Sequence, residues 1–174
     1  MKVLLMGHPN VGKSVVFNHI TGANVTESNY PGTTVDYERG YMRVRQKEME
    51  LIDVPGTFSL EPKDKAEEVA VKMLNENKDS VVVCVIDSTK IERGLYLALE
   101  IIERGYPVVI ALNMWDVAED KKIQIDVEKL QQILGLPVVP TIAISGKGIK
   151  ELVSRISEAA PIEIESIINK AGGS

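Results

Sequence analysis

The chain has 174 residues, Lys+Arg 20 against Asp+Glu 25, a net charge of −5, one cysteine and 44% hydrophobic residues. That length is one domain's worth and folds without a disulfide or metal staple, while the lone Cys84 excludes a disulfide framework and any zinc-finger set. The negative charge argues against a phosphate-neutralising nucleic-acid footprint, and no apolar run approaches the ~20 residues of a membrane helix. Strand-like residues begin at Lys2, which leaves no room ahead of them for a signal peptide, so the expectation is a soluble domain of cytosolic type.

In chain order, short β-branched runs alternate with segments of helical period. Residues 2–6 read as a strand, followed by a glycine loop and a helix over 13–21. Residues 24–36 carry Asn, Ser, Pro, Gly and Thr with little periodicity and read as loop. Residues 37–44 and 49–53 read as a hairpin turning near Gln46 and Lys47, and 57–65 as a second loop. A helix follows over 66–75, with Val69, Ala70, Met73 and Leu74 on one face. Residues 81–87 form an unbroken apolar run, the mark of a strand buried on both faces. The spacing then predicts a helix over 91–104, a strand over 107–113, a helix over 127–134, a strand over 138–144 and a helix over 148–159.

Strands separated by helices indicate parallel βαβ units with right-handed crossovers. The expected fold is α/β in three layers: a mostly parallel six-stranded sheet with one antiparallel edge strand and helices on both faces, over residues 1–160. Residues 161–174 form a tail. Its Ile162, Ile164, Ile167 and Ile168 can dock as a short helix or lead into a further helical region, and Gly172, Gly173 and Ser174 read as linker.

Gly7-His8-Pro9-Asn10-Val11-Gly12-Lys13-Ser14 matches G-x-x-x-x-G-K-[ST] between a strand and a helix, the context that the pattern requires. Its glycines let successive N–H groups curl inward as an anion nest, and the helix start adds partial positive charge beneath the phosphates. Lys13 can reach β- and γ-phosphates, and the Ser14 hydroxyl can ligate Mg²⁺. The plain alternative is a glycine turn. Asp53-Val54-Pro55-Gly56 ends the third predicted strand, where a carboxylate can hold Mg²⁺ through water and the Gly56 N–H can meet a γ-phosphate. Asn113-Met114-Trp115-Asp116 ends a later strand, at the edge where such sheets bind ligands. The Asp116 carboxylate can accept from N1–H and N2–H of guanine, donors that adenine lacks, so GTP and GDP are the expected ligands. Asn113 is expected to tether the nearby loops.

Together these residues resemble the translation-factor-related class of small GTPases over nearly the whole chain. Within that class, the phosphate loop, Asn29-Tyr30-Pro31-Gly32-Thr33-Thr34-Val35, Asp53-Val54-Pro55-Gly56-Thr57-Phe58-Ser59-Leu60 and Asn113-Met114-Trp115-Asp116 are similar to the G domain of the FeoB ferrous-iron transporter family. The resemblance implies a P-loop GTPase fold and a cytoplasmic domain of a cell-membrane protein. Its partner would be the transport domain of the same or a longer chain, and the isolated domain is expected to be monomeric, with no nucleic-acid partner. Iron enters only through this resemblance. It makes residues 29–34 switch I, with Gly32 and Thr33 at the nucleotide and Thr34 on Mg²⁺ and the γ-phosphate, and residues 56–65 switch II. Met114 stands where lysine is usual and is expected to pack as an apolar lid. Ile142 stands where the guanine-supporting loop usually has serine, so that turn loses side-chain support, while Ala143 and Ile144 still bring backbone to the base.

Thr57 follows Gly56 in place of the glutamine that orients the attacking water in Ras-like enzymes. Asn10 is the candidate for supplying what is missing: its carboxamide can hold a monovalent cation near the β–γ bridge, as the resemblance implies for K⁺. Asn10 can equally serve only to tolerate an unusual backbone angle. The expected catalytic set is Asn10, Lys13, Thr34 and Gly56, with slow intrinsic turnover. Competing readings are a GTPase of RNA modification or ribosome assembly, a non-catalytic nucleotide switch, and an ATPase or kinase, the last disfavoured by Asp116. His8 and His19 read as surface residues, Cys84 as core, and Trp115 as flanking guanine or meeting a neighbouring domain. The charges between Lys63 and Glu68 read as a solvated helix start or a partner-facing surface.

Overall fold

The structure, a computed structural model, describes residues 1–173; Ser174, the last residue of the expected tail, lies outside the described residues. The strands are β1 (Lys2–Gly7), β2 (Val25–Asn29), β3 (Asp36–Val44), β4 (Lys47–Asp53), β5 (Val81–Asp87), β6 (Val108–Asn113) and β7 (Val138–Pro140). The helices are α1 (Lys13–Thr21), α2 (Lys65–Glu76), α3 (Ile91–Glu103), α4 (Trp115–Asp120), α5 (Val127–Leu134), α6 (Ile149–Arg155) and α7 (Ile164–Gly172). The sheet has seven strands in the order β2-β3-β4-β1-β5-β6-β7. β1 pairs parallel with β4 and β5, as do β5 with β6 and β6 with β7.

Alternate residues of the buried strands feed two cores. Leu4, Met6, Val82, Cys84, Ile86, Ile110 and Leu112 face α2 and α3, meeting Leu74, Leu97 and Ile101. Val3, Leu5, Val83, Val85, Val109 and Ala111 face the other way onto Val16 and Phe17 of α1 and Leu152 of α6. This period-two division gives the expected three layers.

The expected six strands are seven, and the antiparallel strand is not the edge. β3 runs against both its neighbours, and β2 lies outside it, drawn from the segment expected to be loop. Val25-Thr26-Glu27-Ser28-Asn29 is largely exposed; an edge strand with little to bury needs no apolar alternation. Its hairpin to β3 closes on Pro31-Gly32, with the Thr33 N–H donating to the Tyr30 carbonyl at 3.0 Å and Gly32 at φ 77°, a type II turn. The β3–β4 turn falls one residue earlier than expected. Val44 pairs with Lys47, and Arg45 and Gln46 both adopt positive φ, 47° and 66°, as a two-residue I′ turn demands.

Other departures lie at element ends. β7 stops at Pro140 rather than at 144: the Thr141 N–H still donates to the Leu112 carbonyl at 2.8 Å, and the chain then leaves the sheet as Ala143–Ser145 form a 3₁₀ turn. The last predicted helix is α6 followed by a 3₁₀ turn over Ile156–Glu158. α4 has no counterpart among the predicted elements, being six residues with only Ala118 buried. The tail docks: α7 buries Ile167, and Ile162 and Ile164 pack on the core beside α3 and α5. Gly172, expected to be linker, closes that helix.

Candidate nucleotide site

The strands β1, β4, β5 and β6 end in Gly7, Asp53, Asp87 and Asn113, so the polar groups of the site gather at the carboxyl edge of the parallel sheet. Between β1 and α1 the phosphate loop adopts left-handed backbone at Asn10 (φ 66°) and Gly12 (φ 86°). A Cβ on Gly12 would lie 2.2 Å from the Asn113 Nδ2, so curvature and close approach both require glycine. A cavity of about 360 Å³ opens above this loop, bounded by residues from His8 to Val15 and by Gly56. The Lys13 ammonium pairs with the Asp53 carboxylate, both largely withdrawn from solvent. Ser14 borders the same cavity from the first turn of α1 and is exposed.

The Asp53–Gly56 loop is fixed along β1: the Val54 N–H donates to the Leu5 carbonyl at 3.1 Å and the Thr57 N–H to the Gly7 carbonyl at 3.0 Å. A Cβ on Gly56 would come within 3.1 Å of the Pro9 nitrogen, so the two loops touch only because position 56 is glycine. Beyond it, Thr57 is fully buried and donates its hydroxyl to the Ser59 carbonyl (2.7 Å) and to Glu67 (3.0 Å). Glu67 is also buried and accepts from the N–H groups of Phe58 (2.8 Å) and Lys63 (3.1 Å). The Phe58 N–H holds the Glu67 carboxyl below its ordinary range, against the opposing effect of burial. Sequence reasoning missed Glu67, although Asp64-x-x-Glu67 is a helix-start pattern and Asp64 does cap α2 by accepting from the Glu67 N–H at 2.8 Å.

His8 is half-buried rather than a surface residue. Its Nε2 lies 3.0 Å from the Phe58 carbonyl oxygen and its ring 5.1 Å from the Phe58 ring centre. Burial lowers its basicity. Gly32, Thr33 and Thr34 lie at the tip of the β2–β3 hairpin and do not border the phosphate-loop cavity. The Thr33 hydroxyl is engaged within its own turn, donating to the Tyr30 carbonyl (2.8 Å) and accepting from the Val35 N–H (3.1 Å). Thr34 is exposed and is the threonine whose hydroxyl is left for a ligand.

Asn113 joins three loops. It is buried, and its Nδ2 donates to the Val11 carbonyl at 2.9 Å. Its Oδ1 accepts from the Thr141 hydroxyl and the Ala143 N–H, each at 3.0 Å. The Ala143 N–H expected to face a base is thus donated to Asn113, and Ile144 beside it is 86% exposed. The turn at Ile142 keeps support from other groups: its N–H donates to the Lys147 carbonyl (2.9 Å) and its carbonyl accepts from the Ser145 hydroxyl (3.1 Å). Met114 takes left-handed backbone (φ 57°) at the start of α4, and Asp116 is exposed in the first turn. Trp115 packs against the core. Cys84 is buried in β5, which pushes its thiol up to about 12.

Ser14, Thr34 and Asp53 are hard oxygen donors, the type that Mg²⁺ takes together with phosphate oxygens. Among the described residues, no group of three or more His, Cys, Asp or Glu side chains is placed to hold a metal ion.

The family model described as "Ferrous iron transport protein B" matches residues 1–156. An Fe(2+) transport protein A/Fe(2+) transporter FeoB fusion protein of Porphyromonas gingivalis is 42% identical over 154 residues, 87% of this chain and 18% of that protein. The Fe(2+) transporter FeoB of Leptospira biflexa is 39% identical over 157 residues, 90% of this chain and 23% of that protein. The chain therefore spans less than a quarter of these relatives. The cytosolic domain of L. pneumophila FeoB superposes with a TM-score of 0.88 at 36% identity, covering 94% of this chain and 66% of that one. The cytosolic domain of the T. maritima FeoB iron transporter, solved in a GMPPNP form, gives 0.84 at 39% identity, covering 91% and 63%.

Proposed function

The chain belongs to the FeoB family, and from that premise we propose that residues 1–160 are a GTP-binding, slowly GTP-hydrolysing G domain that regulates a ferrous-iron transporter. The observation that carries this reading is the Asn113 carboxamide, which locks the phosphate loop at Val11 to the loop at Ala143. That bond pattern supports a phosphate cradle and a base-recognition edge held to one another. The relatives named as Fe(2+) transporters support the client, and the solved cytosolic domains in GDP and GMPPNP forms support the ligand.

In this reading the phosphate-loop amides and the start of α1 cradle the phosphates. Lys13 moves from Asp53 to the β- and γ-phosphates, and Asp116 selects guanine by accepting from its two edge donors. Ser14, Asp53 and Thr34 would hold Mg²⁺, which when bound neutralises phosphate charge. Asn10 combines a left-handed backbone that asparagine tolerates with an exposed carboxamide, free to hold K⁺ near the β–γ bridge. Thr57 contributes no side chain to the attacking water, because its hydroxyl is committed to Ser59 and Glu67. Orientation of that water then falls to backbone groups of the two switches, which gives slow turnover, about 10⁻⁴–10⁻³ s⁻¹ unassisted. The domain would face the cytoplasm, with the rest of the transporter as its partner.

Single-turnover hydrolysis of GTP with Mg²⁺, in matched KCl and NaCl, tests the reading. The expected result is a rate raised several-fold by K⁺, abolished as a K⁺ effect in Asn10→Ala, and no hydrolysis of ATP. Equal rates in both salts would remove the cation role from Asn10. No hydrolysis in either would leave a binding switch.

A further inference from the structure

Residues 57–63 of switch II are gripped from outside as well as from α2. On the phosphate-loop side, His8 reaches the Phe58 carbonyl at 3.0 Å. From α3, the Glu100 carboxylate accepts from the Leu60 N–H, its oxygens at 3.2 and 3.4 Å. Leu60 itself is buried, so this N–H has no water to replace a lost partner, and an unpaired buried donor is costly. Glu100 is half-buried and makes no ion pair among the described residues. Burial pushes its carboxyl above the ordinary range, with the Leu60 N–H opposing. That bond fixes where the Leu60 N–H sits relative to α3. The backbone at Phe58 and at Leu60 is thereby held by two elements remote in sequence, the phosphate loop at one and α3 at the other.

We propose that His8 and Glu100 are positioning residues for hydrolysis: they hold switch II so that the Gly56–Thr57 backbone faces the γ-phosphate. Through Glu100, any displacement of α3 changes that orientation. The proposal rests on the GTPase reading above. It needs neither side chain to touch the nucleotide.

The test combines amide hydrogen exchange over residues 57–63 with GTP hydrolysis, in His8→Ala, His8→Gln, Glu100→Ala and Glu100→Gln. The carboxamide of Glu100→Gln keeps an acceptor oxygen and that of His8→Gln keeps an N–H donor, so these two variants rescue a positional role. In the alanine variants we expect exchange about tenfold faster and kcat lower by about tenfold or more, with GDP affinity within about twofold of wild type in Glu100→Ala. The glutamine variants should stay within about threefold of wild type in both readouts, as the retained bond requires. Unchanged exchange in both alanine variants overturns the grip. Faster exchange with unchanged kcat overturns the positioning role. If wild type hydrolyses no GTP, the GTPase reading fails and the hydrolytic role falls with it, while exchange still decides whether the grip exists.

Discussion

Asn113 bears a large structural demand, because one buried carboxamide satisfies a carbonyl, a hydroxyl and an amide on two other loops. Asn113→Ala should cost about 2–4 kcal/mol in urea unfolding, since three buried polar groups lose their partner. It should also weaken GDP binding at least tenfold by calorimetry. Glu67 gives a pH-dependent prediction. Its carboxyl is lowered from 4.5, first by the Phe58 N–H, so its contribution is complete above the unfolded value and is lost as pH falls through the lower folded one. The stability difference between wild type and Glu67→Gln, measured by urea titration, should therefore be full at neutral pH and shrink below about pH 4. Part of this scale was legible in the chain: Gly12, Gly56, Lys13, Asp53 and Asn113 stand in the motifs, and the structure brings them together at one edge of the sheet. His8 and Glu100 were not, because their partners lie 50 and 40 residues away and no local pattern encodes a side chain meeting a distant backbone.

At the level of elements, the β2–β3 hairpin changes how switch I is understood. Its tip is not an open loop but a closed turn, with the Tyr30 N–H donating to the Val35 carbonyl at 2.9 Å. Tyr30 is further tied to the end of α2 by donating its hydroxyl to Glu76. That bond pushes the phenol up to about 12. Tyr30→Phe removes the tie and leaves the ring in place. Amide exchange over residues 30–35 should rise about three- to tenfold, the equivalent of one surface-accessible hydrogen bond, with thermal stability almost unchanged. The same hairpin shows why the segment reads as loop in the sequence: Pro31-Gly32 signals a turn whether or not strands flank it, and β2 has too few apolar residues to announce itself.

Over the whole molecule, two cores flank one sheet, and the C-terminal segment belongs to the first of them. Ile162, Ile164 and Ile167 pack on the side formed by α3 and α5. A Cβ on Gly135, at the end of α5, would come within 3.6 Å of Ile162. A chain ended at residue 160 should lose about 2–4 kcal/mol of stability, from partial burial of those three side chains, in thermal or urea unfolding. GDP affinity should hold, because that contact lies at the far end of α5 from the carboxyl edge of the sheet. A loss of nucleotide binding would show that the boundary at 160 cuts through the functional unit.

Linear order was enough to locate the alternation of strands and helices, the glycine loop between β1 and α1, and the polar residues Asp53 and Asn113 at the ends of their strands. Each is a local arrangement, a period or a spacing of a few residues, which the backbone must express wherever the segment sits. Three-dimensional packing was needed for the edge strand β2, the docking of α7, the engagement of the Thr33 hydroxyl that leaves Thr34 free, and the clasp on switch II. Those outcomes depend on which surfaces meet after the sheet has formed. An edge strand borrows its stability from its neighbour's unpaired backbone, a marginal helix from the core it covers, and a loop from carboxylates and an imidazole carried on other elements.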